Sequence, residues 1–128
     1  MDSKKVGILG ERIAEKYLKN KGYKILDRNY YFRIPGNPQK GEIDIIAKKG
    51  ETTSFVEVKL LRNPAMLISP EEKVNFSKMR KLIKTAESWL MKKKIPLNTK
   101  WQIDILAIEI RGGKAKISHF ENAVSQVR

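Results

Sequence analysis

The spacing of hydrophobic positions changes several times along the chain, and each change marks an element. Between Lys4 and Lys21, Val6, Leu9, Ile13, Ala14, Tyr17 and Leu18 recur at three-and-four spacing. That spacing predicts a helix with one buried face, and Gly22 supplies its stop. "YKILDRNYYFR", residues 23–33, is rich in aromatic residues and ends in the breaker-rich "IPGNPQKG", so it reads as a strand. Residues 41–48 form a second strand, "KKGET" a tight reversal, and residues 53–61 a third strand. A helix start follows, with Ser69 as cap, Pro70 at the first helical position and Glu72 completing a capping box. Met79, Leu82, Ile83, Ala86 and Leu90 then make one apolar stripe, with Trp89 beside it as a core residue. "KKKIPLNTK" ends that helix. Residues 101–110 alternate as a fourth strand, "RGGK" turns the chain, and residues 115–120 read as a fifth. No repeat or linker interrupts this order, so one domain over residues 1–128 is expected. Its class is α/β: an αβββαβ core with a short extra strand, forming a mixed central sheet flanked by helices.

Charge adds a partner to this picture. The 128 residues hold 27 Lys and Arg against 14 Asp and Glu, a net charge of +13. Residues 77–100 carry eight of the basic residues (Lys78, Arg80, Lys81, Lys84, Lys92, Lys93, Lys94 and Lys100) against Glu87 alone. Such a field attracts a polyanion, and nucleic acid leads because neutralised phosphates release their counterions. The competing reading is a lysine-rich surface that serves solubility. Cysteine is absent, which excludes a disulfide framework and thiolate metal sites. The uncharged run from Val6 to Gly10 is too short for a signal-peptide core, and no apolar stretch reaches membrane-spanning length. The expected location is the cytoplasm, with no membrane partner.

The strand pair "GEIDIIAKKGETTSFVEVK" carries the candidate chemistry. Alternation puts Phe55, Glu57 and Lys59 on one face and Val56, Val58 and Leu60 on the other. The same rule puts Glu42 and Asp44 together, opposite Ile43 and Ile45. A hairpin through "KKGET" lets Asp44 and Glu57 converge, where each loses hydration and repels the other. A divalent cation resolves both costs, and carboxylate oxygens suit Mg²⁺ or Mn²⁺. Lys59 supplies a compact positive charge for an attacking water or a phosphate oxygen, as phosphodiester hydrolysis requires. Glu11, off the apolar stripe of the first helix, reaches the same cation if that helix crosses the sheet. The alternative is a solvated strand face with cross-strand ion pairs, because D-x12-E-x-K alone is a weak motif.

Asp44 followed by Glu57-Val58-Lys59 resembles the PD-(D/E)xK signature of the restriction-endonuclease-like superfamily. More closely, "GERIAEKYLKNKGYKILDRNY", "GEIDIIA", "FVEVK" and "ISHFENAV" resemble the YraN-like family of small bacterial predicted nucleases, over nearly the whole chain. Archaeal Holliday-junction resolvases share the helix Glu, strand Asp and E-x-K layout. The resemblance implies that Asp44, Glu57 and the backbone carbonyl of Val58 ligate the metal, with Glu11 as a further metal or water ligand. It implies that Lys59 positions the nucleophilic water, that Glu42 supports the site and that Lys78 faces phosphate. Arg62, Arg80, Lys81 and Lys84 are the other candidate nucleic-acid contacts. Ile43 stands where the superfamily signature has Pro, the loop "RIPGNPQK" is long, and Arg62 lies one place later than the expected basic residue.

Three groups are weighed towards structure. His119 is the only histidine, and the chemistry does not require it. Asp104, a candidate to support the site from the next strand, is read instead as one half of an ordinary ion pair. Tyr30, Tyr31 and Phe32 are read as packing rather than as base-stacking residues. The expected function is a metal-dependent nuclease on DNA, with branched, flapped or single-stranded substrates. Resolving enzymes cut two strands symmetrically, which leaves a homodimer open. The alternatives are a nucleic-acid-binding module without catalysis and a partner protein in DNA repair or uptake.

Overall fold

The computed structural model describes residues 3–38, 40–61 and 76–123. Helix α1 (Ser3–Asn20) leads into strands β1 (Lys24–Arg33), β2 (Lys40–Lys49) and β3 (Thr52–Leu61). Helix α2 (Phe76–Lys92) precedes β4 (Trp101–Arg111) and β5 (Lys114–Phe120). The Ser69, Pro70 and Glu72 helix-start signature lies outside the described residues, as does Arg62.

Each helix stops through local chemistry. At the end of α1 the amide of Gly22 donates to the Lys19 carbonyl at 3.0 Å and that of Tyr23 to Leu18 at 2.9 Å. This Schellman pattern needs a left-handed residue, which Gly22 supplies at φ 93°. The end of α2 repeats it through Lys94 to Met91 (3.0 Å) and Ile95 to Leu90 (2.8 Å). There Lys94 occupies the left-handed position, at φ 60°.

The sheet runs in the order β1-β2-β3-β4-β5. Only β3 and β4 pair in parallel; the other neighbours are antiparallel. A parallel pair needs a crossover, and α2 lies on it. With helices on both sides, β4 is buried without interruption from Ile103 to Ile108, the expected pattern for a strand covered on both faces. Ala14 and Leu18 of α1 pack on Ile45, Val56, Leu106 and Ile108. Leu82, Trp89 and Leu90 of α2 pack on Phe55, Ile103 and Ile105 on the opposite face. Trp89 is core, as expected, at 3% exposure. The fold is thus α/β with a mixed five-stranded sheet, consistent with a restriction-endonuclease-like core.

One expectation from alternation fails. Ile43 belongs to the cluster under α2, whereas Ile45 belongs to the cluster under α1. The period is therefore broken at Asp44. The reason lies in the pairing: β2 and β3 are in register only from Ile45↔Val56 to Lys49↔Thr52. Before Ile45 the β2 strand stays with β1, through Tyr30↔Ile43 and Phe32↔Gly41, and parts from β3. Close packing against α2 accompanies this divergence. An added Cβ at Gly41 would lie 1.9 Å from the Thr85 hydroxyl oxygen, so only glycine fits there.

Candidate metal and phosphate site

The gap where β2 parts from β3 leaves the Val58 amide without a strand partner on that side. The Asp44 carboxylate fills the role, accepting from Val58 N–H at 2.8 Å. Backbone N–H and C=O of one strand residue project to the same side, so the Val58 carbonyl faces the same gap. Val56, Val58 and Leu60 pack under α1, which turns Glu57 and Lys59 toward α2 with Phe55, as alternation predicts. Lys78 then places its Nζ 2.7 Å from Glu57 Oε1, and Lys59 Nζ lies 3.7 Å from the same oxygen. The other Glu57 oxygen, Oε2, is buried and has no hydrogen-bond partner among the described residues. A buried carboxylate oxygen left unsatisfied costs free energy and invites a cation.

Glu11 arrives from the other face. The helix crosses β3 at Gly10, where an added Cβ would lie 3.7 Å from Val58 and 3.9 Å from Leu60. The neighbouring Glu11 is thereby brought beside Glu42, with Asn29 hydrogen-bonded to it. Asn29 is itself in the left-handed region at φ 49°, next to the β1 bulge between Ile25 and Asp27.

Electrostatics reflect this crowding. Burial pushes the Asp44 carboxyl up to about 7; the Val58 amide opposes the shift, and Glu57, Glu11 and Glu42 add to it. Burial also raises Glu11, with Asn29 opposing and Glu42 reinforcing. For Lys59, burial lowers the pKa, and so does contact with Lys78. Lys78 moves the other way: burial disfavours its charge most, but the contacts with Glu57 and Lys59 and the negative charges of Glu57 and Asp44 together outweigh it. Four carboxylates and two lysines therefore share one electrostatic site. It opens into a cleft of about 530 Å³ lined by Lys40, Gly41, Glu42, Glu57, Lys78 and Lys81.

Asp44, Glu57, Val58 and Lys59 are thus brought to one place, with Glu11 at its edge. No three of Asp44, Glu57, Glu11 and Glu42 bring their carboxylate oxygens within 4.8 Å of one another. Among the described residues, the group whose ligand atoms all lie within 4.8 Å of one another is Asp104, His119 and Glu121. That group is elsewhere: Asp104 is on the face of β4 under α1, away from Glu57. Its carboxylate accepts from Gln102 Nε2 and from Asn122 N–H, each at 2.9 Å, and lies 2.9 Å from His119 Nε2. The Tyr17 hydroxyl is 3.3 Å from His119 Nδ1. The partner of Asp104 is the single histidine, through a 2.9 Å contact between its carboxylate and His119 Nε2.

Among the basic candidates, Lys78 is inside the site, Lys81 lines the cleft, and Arg80 and Lys84 are exposed along α2. Sequence reasoning missed Lys40 and Asn29. The long loop before β2 hid Lys40. Asn29 leaves the local signal of an asparagine within an otherwise aromatic strand, where its left-handed tendency marks irregular backbone.

The donor set that fits a metal here is all oxygen: Asp44, Glu57 and the Val58 carbonyl. The unsatisfied Glu57 oxygen and the mutual repulsion around Asp44 both favour a hard divalent cation.

A profile described as "Uncharacterised protein family UPF0102" matches residues 10–108. The chain belongs to the UPF0102 family. This is the YraN-like family that the sequence blocks resemble. Three UPF0102 proteins illustrate the breadth of the likeness. One from Alkaliphilus oremlandii is 40% identical over 123 residues, covering 94% of this chain and 98% of the relative. One from Clostridium tetani is 47% identical over 93 residues, 73% of this chain and 70% of the relative. One from Vibrio campbellii is 37% identical over 124 residues, 96% of this chain and 94% of the relative. The UPF0102 match runs from Gly10 in α1 through most of β4, and so takes in every residue of the candidate site.

Proposed function

We propose that this UPF0102 protein is a metal-dependent nuclease that hydrolyses DNA phosphodiester bonds at the β2–β3 gap. The observation that carries the reading is the pairing of Asp44, held on the Val58 amide, with a buried unsatisfied oxygen of Glu57 beside two lysines. Asp44, Glu57 and the Val58 carbonyl would hold Mg²⁺ or Mn²⁺. Such an ion supplies Lewis-acid polarisation of a phosphoryl oxygen and a more acidic water.

The protein's own groups perform the rest. Lys59, half-buried at the gap, holds the attacking water and offsets the negative charge that grows on the phosphoryl group. Lys78 neutralises Glu57 in the metal-free protein and is poised to turn to a phosphate when a cation takes its place. Lys40 and Lys81 line the cleft and bind flanking phosphates. Glu11 and Glu42 orient water at the rim and, with Asp44, strengthen the field that draws in the cation.

The deciding experiment incubates labelled single-stranded, flapped and four-way-junction DNA with the protein and Mg²⁺ or Mn²⁺, then with chelator. Cleavage is expected with metal, and its loss in Asp44→Asn and Lys59→Ala supports the assignment. Cleavage that survives both substitutions rejects this site. A second reading, a nucleic-acid-binding module without catalysis, draws on the lysines that already neutralise Glu57 Oε1. Binding without cutting in either metal would select it.

A further inference from the structure

Beyond the cleft, the seam between β1 and α2 continues as a second depression with different chemistry. Phe32 is the Cα partner of Gly41, which lines the cleft, and Lys84 stands one helical turn after the cleft residue Lys81. Phe32 and Lys84 both line a groove of about 500 Å³ whose apolar wall is completed by Met91 and Leu97. Its rim carries Lys84 and Lys92 against Glu87. Met91 is 65% exposed and Leu97 44% exposed, an unusual outlay of apolar surface on a chain of charge +13. The neighbouring aromatics are anchored and already associate with cations. Tyr30 shares a hydrogen bond of 2.9 Å with Ser88 and lies 5.9 Å below Lys92 Nζ. Tyr31, 49% exposed, has Lys40 Nζ 4.0 Å from its ring centre.

A flat apolar wall with a lysine rim fits a ligand that is itself apolar on its faces and anionic along its backbone. Unpaired nucleobases on a sugar–phosphate strand have that character, and base faces stack on aromatic and thioether surfaces without sequence preference. A duplex does not, because its base faces are buried in its own stack. The nearness of the groove to the cleft, through Phe32 paired with Gly41 and Lys84 one turn from Lys81, gives the strand its direction. We propose that this groove binds the unpaired bases of a single-stranded nucleic acid whose adjoining phosphates lie in the Lys40–Lys81 cleft. The inference rests on the nucleic-acid reading of that cleft and adds a substrate class to it: strands with an unpaired stretch of several nucleotides.

The test is a binding measurement in chelator, so it does not depend on cleavage. Fluorescence anisotropy compares a labelled oligothymidine, an abasic oligomer of the same length and charge, and a blunt duplex. Oligothymidine is expected to bind roughly tenfold more tightly than the abasic oligomer, the gain of one or two stacked bases. Met91→Ala and Phe32→Ala should erase that ratio while leaving abasic binding unchanged; exposed Met91 serves where Phe32→Ala disturbs folding. Asp44→Asn should keep the ratio, which separates this groove from the proposed chemistry. Equal binding of the two single strands, a ratio untouched by Met91→Ala, or duplex bound as tightly as oligothymidine would overturn the proposal. So would a dimer in sedimentation that Met91→Glu dissociates, because a second copy would then own the groove.

Discussion

Asp44 is held where burial and three neighbouring carboxylates all oppose its ionisation. Its carboxyl titrates at about 7 in the folded chain against an ordinary value of 3.8, so without metal the folded state keeps a proton that the unfolded chain has released. This group's contribution to stability is full below 3.8 and is lost as pH rises to about 7. In chelator, the melting temperature of the wild type should therefore fall over that window relative to Asp44→Asn, and run parallel to it above. A flat difference between the two proteins would show that Asp44 is not perturbed. The same ionisation gates metal binding on the proposed reading, so the Mn²⁺-induced rise in melting temperature should grow through pH 7 and vanish in Asp44→Asn. Lys59→Ala is expected to lower cleavage by about 100-fold or more, as loss of a preorganised positive contact to the reacting group does, with little change in melting temperature.

At the level of elements, two backbone positions make opposite demands on their residues. Gly41 lets β2 leave β3 while staying tight against α2. Gly41→Ala forces its Cβ onto Thr85, and overpacking of this kind costs about 1–3 kcal/mol, measurable by urea denaturation. Adding Thr85→Ala should recover part of the loss, because the clashing hydroxyl is gone; no recovery would mean that the clash lies elsewhere. Lys94 is the opposite case. It fills a left-handed helix stop that glycine fills at α1, and Lys94→Gly should stabilise the protein by about 1 kcal/mol. A destabilised variant would mean that the lysine side chain contributes more than its backbone strain costs.

For the whole molecule, the distribution of charge makes the clearest prediction. A ligand that meets the lysines along α2 should bind with a steep salt dependence, losing about 10³-fold or more between 50 and 200 mM salt if six phosphates are contacted. Lys81→Ala and Lys84→Ala should each weaken binding to all sequences alike and lower the salt slope by about one. A slope near zero would assign the basic surface to solubility instead. No described helix is long and apolar enough to cross a membrane.

The order and kind of the elements were legible in the chain because hydrophobic period, caps and turns are local. The alternation of "FVEVKL" placed Glu57 and Lys59 correctly, since β3 is regular from Phe55 to Leu60. The same rule failed one strand earlier. Whether Asp44 follows its neighbours depends on where β2 stops pairing with β3, a divergence accompanied by the packing of Gly41 on Thr85, 44 positions away in sequence. The union of Lys78 with Glu57, the crossing of α1 over Val58 at Gly10 and the placing of the Phe32–Met91 groove next to the cleft have the same origin. Each needs two elements to pack, and period within one element carries no information about the distance to another.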